Sequence, residues 1–125
     1  MSIVDTCFLI DLIREDPGAL RVAEESEDLK TTSISAAEFL FGAKISTRSD
    51  LLAASRTFLT YFLILPFDGE SAAVYADIAG ALRESGDRIS SFDELIASIA
   101  LRHDDVLITR DDHYSRIPGL SVASY

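Results

Sequence analysis

The chain has 125 residues, of which 21 are Asp or Glu and 11 are Lys or Arg, for a formal charge of −10 at pH 7. That length is one domain, residues 1–125, with room for a core but not for a second ordinary domain. The 48% apolar content excludes a disordered chain, and a single cysteine, Cys7, excludes an internal disulfide scaffold and points to a reducing compartment. The charge argues against a general nucleic-acid binder and favours metal cations or a basic protein partner, with plain solubility as the other reading.

No basic segment opens the chain, and Asp5 and Asp11 interrupt the first apolar run, so neither a signal peptide nor a membrane anchor is expected. No stretch approaches ~18 uninterrupted apolar residues. The expectation is a soluble, cytoplasmic protein.

Ser2-Ile3-Val4 reads as a short strand, and Phe8 to Arg14 as a helix closed by Asp16-Pro17-Gly18. Pro17 to Glu25 reads as a second helix with proline at its start. Lys30 to Ile34 is β-rich, and Ser35 to Lys44 and Arg48 to Phe62 read as helices. Leu63 to Pro66 is a third strand candidate. Gly69 to Ser85 then places Val74, Tyr75, Ile78, Ala79 and Leu82 on one helical face, and Gly86 stops it. Phe92, Leu95, Ile96, Ile99 and Ala100 follow the i, i+3, i+4, i+7, i+8 spacing of an amphipathic helix. Val106 to Thr109 is a fourth strand and Ser121 to Ala123 a fifth. Strands alternating with helices predict an α/β fold, a central and mostly parallel sheet flanked by helices. Such sheets bind ligands beyond the carboxyl ends of their strands.

Four acids fall at that edge. Asp5 follows the first strand, Glu38 lies in the first turn of the helix after the second, Asp93 opens the amphipathic helix, and Asp111 lies two residues beyond Thr109. Each also has a structural reading. Ser35-x-x-Glu38 and the run Ser90-Ser91-Phe92-Asp93-Glu94 are capping boxes, and Asp111 suits a turn or cap. Asp5 is harder to dismiss, because a carboxylate between a buried strand and Phe8-Leu9-Ile10 is costly without a partner. Four such carboxylates would repel one another, and a hard divalent cation, Mg²⁺ or Mn²⁺, would relieve this and activate a water on a phosphate ester.

The residues Ile3-Val4-Asp5-Thr6-x-Phe8-Leu9-Ile10, Ser33-x-x-x-x-Glu38-x-x-x-Gly42, Ile89-x-x-x-Asp93-x-x-Ile96-Ala97 and Leu107-Ile108-Thr109-Arg110-Asp111, with Tyr114 and Ile117-Pro118-Gly119-Leu120, together resemble the PIN-domain family. The likeness is to the VapC-like ribonuclease toxins of type II toxin–antitoxin pairs. It covers nearly the whole chain, with the motifs in family order. It implies a PIN-like single domain and a metal-dependent endoribonuclease, with Mg²⁺ or Mn²⁺ held by Asp5, Glu38, Asp93 and Asp111 directly or through water. It also implies supporting hydroxyls at Thr6 and Thr109, a homodimer, and a protein antitoxin that makes any DNA contact. Two positions depart from the family pattern: Cys7 replaces a frequent Ser, and Ser90 stands where many members have Gly or Asp.

Cys7 reads as a buried, inert thiol, since no basic group nearby in sequence favours thiolate. Nothing pairs His103 with His113 for metal-free acid–base chemistry; His103 suits a helix end and His113 a turn. Among Arg14, Lys44, Arg48, Arg110 and Arg116, Arg110 is the best-placed contact for an RNA phosphate, and scattered surface charge describes the others. The isolated chain should bind duplex DNA poorly. Phe39-Leu40-Phe41 spreads over about 200° of a helix, wider than one core-facing stripe, so a second apolar contact or a sandwiched helix is expected. Two other functions fit parts of the pattern: a catalytically silent PIN-fold protein-binding module, and a phosphoacceptor receiver domain, which would want a strand-end Lys that neither Lys30 nor Lys44 supplies.

Overall fold

A computed structural model describes residues 1–125. The strands are β1 Ser2–Val4, β2 Lys30–Thr32, β3 Leu63–Leu65, β4 Val106–Ile108 and β5 Val122–Ala123. The helices are α1 Thr6–Ile13, α2 Pro17–Glu25, α3 Ser33–Ile45, α4 Leu51–Leu59, α5 Gly69–Ser85 and α6 Ser91–Arg102, with a 3₁₀ turn at Asp112–Arg116. All strand pairs are parallel, in the order β3-β2-β1-β4-β5.

That order has one reversal. The chain moves outward from β1 through β2 to β3, then returns to the other side of β1 to lay down β4 and β5. The crevice at the carboxyl ends of β1 and β4 is therefore the topological switch point, where open α/β sheets bind ligands. The order also differs from the 2-1-3-4-5 arrangement of flavodoxin-like receiver domains, which removes the phosphoacceptor alternative.

Alternation along the short strands sends neighbouring side chains into two cores. Ile3 and Leu107, paired in register, face Ile78 and Leu82 of α5 and Ile96, Ala97 and Ala100 of α6. Val4 points the other way, onto Phe8, Leu9, Ala19, Ala36, Phe39, Leu59 and Phe62 from α1 to α4 and the turn after α4. Both faces of the sheet are thus covered, as a parallel sheet requires.

Local chemistry sets the helix ends. Asp16 accepts the Ala19 N–H at 3.0 Å ahead of Pro17, and Asp68 accepts the Ser71 N–H at 2.8 Å. Gly86, at φ 75°, closes α5, and Ser90 caps α6 by accepting the Asp93 N–H at 3.1 Å. His103 ends α6 as its C-cap.

Two helices differ from expectation. Thr32 caps α3, its hydroxyl accepting the Ser35 N–H at 3.0 Å, so the helix begins at Ser33 and the predicted capping box at Ser35 does not form. Glu38 accordingly sits in the second turn and its carboxylate is free for other work. The helix expected from Arg48 to Phe62 is only Leu51–Leu59. The Thr60 hydroxyl donates to the Thr57 carbonyl at 2.6 Å, and the Leu63 N–H to Leu29 at 2.9 Å, which draws the chain into β3. On α3, Phe39 is buried but Phe41 and Ile45 are 65% and 66% exposed, so this helix is not sandwiched within the monomer. No helix is long and apolar enough to cross a membrane.

Candidate active site

Asp5 leaves the sheet at the end of β1 and caps α1, its Oδ1 accepting the Phe8 N–H at 3.1 Å. Only 2% of the residue is exposed. The Cys7 thiol donates to Oδ1 at 2.9 Å, and the Thr109 hydroxyl donates to Oδ2. No Lys or Arg pairs with it. Burial pushes its carboxyl above the ordinary range; the donors Cys7, Thr109 and Phe8 pull it back, and nearby Asp93 raises it again.

Glu38 approaches from α3. The Thr6 hydroxyl donates to its Oε1 at 2.7 Å, joining the first turn of α1 to α3. Its carboxyl is raised as well, first by burial, then by the charges of Asp93 and Asp5, against the bond from Thr6. Asp93 stands in the first turn of α6 and accepts the Tyr114 hydroxyl at 3.1 Å. Tyr114 is 1% exposed, and its phenol is held far above its usual range by burial and by Asp93, Asp5 and Asp111.

Asp111 caps the 3₁₀ turn, accepting the His113 N–H at 2.9 Å, and its own N–H donates to the Thr109 hydroxyl at 2.9 Å. Thr109 thus touches both strand-end acids, donating to one and accepting from the backbone of the other. His113 Nδ1 lies 3.0 Å from Asp111 Oδ1, and ligand atoms of Asp93, Asp111 and His113 all fall within 4.8 Å of one another. Asp5 and Asp111 both cap through Oδ1, and Asp5 Oδ2 still accepts the Thr109 hydroxyl.

The structure brings Asp93 and Asp111 together with His113, while Asp5 and Glu38 lie near enough to feel the charge of Asp93 but outside that group of ligand atoms; Thr109 bridges Asp5 to the Asp111 backbone. Oxygen donors dominate, and no Lys or Arg forms an ion pair with any of the four acids; only the His113 imidazole lies against one, Asp111. A donor set of this kind fits a hard divalent cation.

Arg110 departs from expectation, and Cys7, half-buried rather than buried, keeps the low thiolate character expected of it. Arg110 is turned from the acids toward Asp16, 2.9 Å away, and Asp11, 3.5 Å away. Its guanidinium stacks 4.4 Å from the Tyr125 ring centroid. The Cys7 thiol is pushed up by burial and by the charge of Asp5, which keeps it protonated as a donor.

Two features escaped the sequence. Tyr114 enters the sequence reading only as a residue of the family resemblance, with no role assigned, although a buried phenol must find an acceptor. Glu94, next to Asp93, is fully buried, and Arg88 grips both its oxygens at 2.6 and 3.0 Å. A shallow cleft of ≈ 320 Å³ opens beside Asp93 and Asp111, with Arg88, Ser90, His113 and Arg116 on its walls.

A family model for the PIN domain matches residues 2–120. Toxin FitB of Neisseria gonorrhoeae is 31% identical over 122 residues, spanning 89% of this chain and 88% of that protein. The crystal structure of FitAcB from Neisseria gonorrhoeae superposes with a TM-score of 0.86 at 25% identity, covering 98% of this chain and 96% of that one. VapBC-1 from nontypeable Haemophilus influenzae gives 0.85 at 26% identity, again over 98% and 96%. VapBC2 from Rickettsia felis, solved on a promoter DNA fragment, shares the fold with a TM-score of 0.90 at 23% identity, over 98% and 97%.

Proposed function

This chain belongs to the PIN-domain family and is VapC-like, and we propose that it is a metal-dependent endoribonuclease, the toxin of a toxin–antitoxin pair. The observation that carries the reading is Asp5: a buried carboxylate without a cationic partner, raised first by burial and further by the charge of Asp93, with Glu38 near enough to be raised by both.

Bound Mg²⁺ or Mn²⁺ would supply Lewis-acid polarisation of a phosphate oxygen and activation of a water. Asp5, Glu38, Asp93 and Asp111 would hold it directly or through water. Thr109 and Cys7 orient Asp5, Thr6 orients Glu38, and Tyr114 orients Asp93. One of these carboxylates would take the proton of the attacking water, and Glu38, with its raised carboxyl, is the candidate we favour. Arg110 enters as the sequence's candidate for a phosphate contact, one that must release Asp16 to make it.

The partners follow from the surface. A solved neighbour at 26% identity is a toxin–antitoxin complex from Klebsiella pneumoniae, and the relative from Neisseria gonorrhoeae is named Toxin FitB; an antitoxin is proposed for this chain. An Arg placed by that partner among Asp5, Glu38 and Asp93 would bond strongly to the uncompensated acids. Its apolar anchor cannot be Phe39 or Phe62, which are buried; the exposed apolar side chains are Phe41 and Ile45 of α3 with Tyr61 and Leu63. The same uncovered face of α3 supports a homodimer. The chain would act on RNA in the cytoplasm, and DNA contact would come through the antitoxin, since a −10 chain repels duplex DNA.

The test is cleavage of a panel of structured RNAs with and without Mg²⁺, beside Asp5→Asn. Metal-dependent cleavage lost in Asp5→Asn is expected. Equal cleavage by the variant overturns the site, and no cleavage of any RNA by a chain that still binds an antitoxin favours the silent module.

A further inference from the structure

We propose that Arg88 and Arg116 form a phosphate-holding wall of the cleft, seating the RNA backbone beside Asp93 and Asp111. The inference deepens the ribonuclease reading and rests on it for the identity of the polyanion.

The argument begins with a deficit. A chain of charge −10 must bring a polyanion to four carboxylates, so some local cation has to offset the repulsion. Few are free. Lys30 is buried with Asp105, Arg48 pairs with Asp50, Arg102 with Asp68 and Glu70, and Arg110 with Asp11 and Asp16. Two arginines instead line the same cleft as Asp93 and Asp111.

They come from separate segments, Arg88 from the loop before α6 and Arg116 from the end of the 3₁₀ turn. Arg116 is exposed and makes no ion pair or hydrogen bond. Arg88 donates Nε and Nη2 to the two oxygens of buried Glu94, yet 43% of its side chain remains exposed. A guanidinium has five N–H donors in a rigid fork, so donors remain after Glu94 is satisfied. The buried acid therefore works as an anchor that fixes Arg88 at the cleft, so that little side-chain entropy is lost on binding an anion. Ser90 and His113 line the same cleft.

The test uses a short fluorescein-labelled single-stranded RNA of mixed sequence, with binding read by anisotropy in millimolar Ca²⁺ and RNA integrity checked on a gel. Arg116→Glu should weaken binding about tenfold, as reversal of one well-placed phosphate contact predicts. Arg116→Ala should reduce the slope of log affinity against log salt by about 0.7, the value for one phosphate on a single strand. Arg116→Lys should retain most affinity. Arg88→Lys keeps a charge for Glu94 but loses the fork, and should weaken binding while circular dichroism shows an intact fold. Arg56→Glu, on α4, is the control and should change little.

No RNA binding by the unaltered chain, or an equal loss in Arg56→Glu and Arg116→Glu, overturns the wall. Unchanged binding in Arg116→Glu, alongside Mg²⁺-dependent cleavage that Asp5→Asn abolishes, removes the wall and leaves the ribonuclease. Arg116-dependent binding without cleavage of any RNA leaves the wall and removes the ribonuclease.

Discussion

The two ends of the sheet bury acids in opposite ways. At the amino end, Asp105 precedes β4 and meets the Lys30 ammonium from β2, each side chain 8% exposed. At the carboxyl end, Asp5 is more buried still, but its partners are a hydroxyl, a thiol and a backbone N–H. Glu94, on the helix that carries Asp93, follows the first pattern through Arg88. One chain therefore contains paired buried acids that close the structure and an unpaired one that leaves a charge deficit. The deficit is confined to the topological switch point, and a cation from outside the chain is what it can accept.

The sharpest way to break this contrast is to unpair the amino end. Lys30→Met should strand Asp105 in the interior, where only the Met1 amino group, 3.9 Å away, remains. A loss of about 3–5 kcal/mol is expected, with most of it recovered when Lys30→Met is combined with Asp105→Leu. Urea denaturation measures both, and a single variant as stable as the parent would show that the pair carries no such weight.

Asp5→Asn should behave in the reverse sense. Asn caps a helix as well as Asp, and nothing cationic is left stranded, so the fold should hold. Cleavage should fall on the order of 100-fold or more, equivalent to about 2.7 kcal/mol of transition-state stabilisation. An unfolded Asp5→Asn protein would erase the distinction between the two ends.

Only the carboxyl-end half of this contrast is legible in the sequence; the Lys30–Asp105 pair is not. Proline, glycine and cap residues punctuate the chain strongly enough that the bounds of α2 and α5 match the reading from sequence. Asp5 stood out because a charge between apolar runs is costly wherever it lies. Glu38 was misplaced by one turn because two hydroxyls, Thr32 and Ser35, compete for one cap, and local pattern does not say which wins. The Arg88 to Glu94 pair and the capture of Arg110 by Asp16 depend on side chains meeting across turns and across 94 residues of chain. No periodicity encodes such meetings. The even spread of basic residues along the sequence likewise hid which of them reach the cleft.

Metal and pH sharpen the comparison further. A ligand at 100 times its Kd stabilises the native state by about 2.7 kcal/mol. Saturating Mg²⁺ or Mn²⁺ should raise the melting temperature of the parent chain and of Lys30→Met alike. It should do much less for the double variant Asp5→Asn, Asp93→Asn. Without metal, the raised carboxyls of Asp5 and Glu38 mean that the folded chain holds protons the unfolded chain has released. Their stabilisation is complete below the unfolded carboxyl value of about 4 and is lost as pH rises through the folded values. In chelator the parent should therefore lose stability as pH rises above about 4, and Asp5→Asn should flatten that loss. A profile that rises over this interval in the parent and is unchanged in the variant would contradict the assignment.

The smallest effect should come from Cys7. Its thiol donates to Asp5, with contacts at 2.9 and 3.2 Å, and lies 3.6 Å from both the Thr109 hydroxyl and the Tyr125 hydroxyl. Sulfur is a weak donor, so the bond trims the cost of burying Asp5 without matching a cation. Cys7→Ser substitutes a stronger donor on a shorter bond, and activity should change by no more than a few-fold. Cys7→Ala removes the donor, leaving Asp5 to Thr109 and Phe8. The Asp5 carboxyl should then rise further, and the acid limb of the cleavage profile should move to higher pH. Because burial and Asp5 hold the thiol protonated, iodoacetamide should label Cys7 slowly at neutral pH in the parent and faster in Asp5→Asn. Equal labelling in both would mean that the thiol and the carboxylate do not share the contact on which this end of the sheet depends.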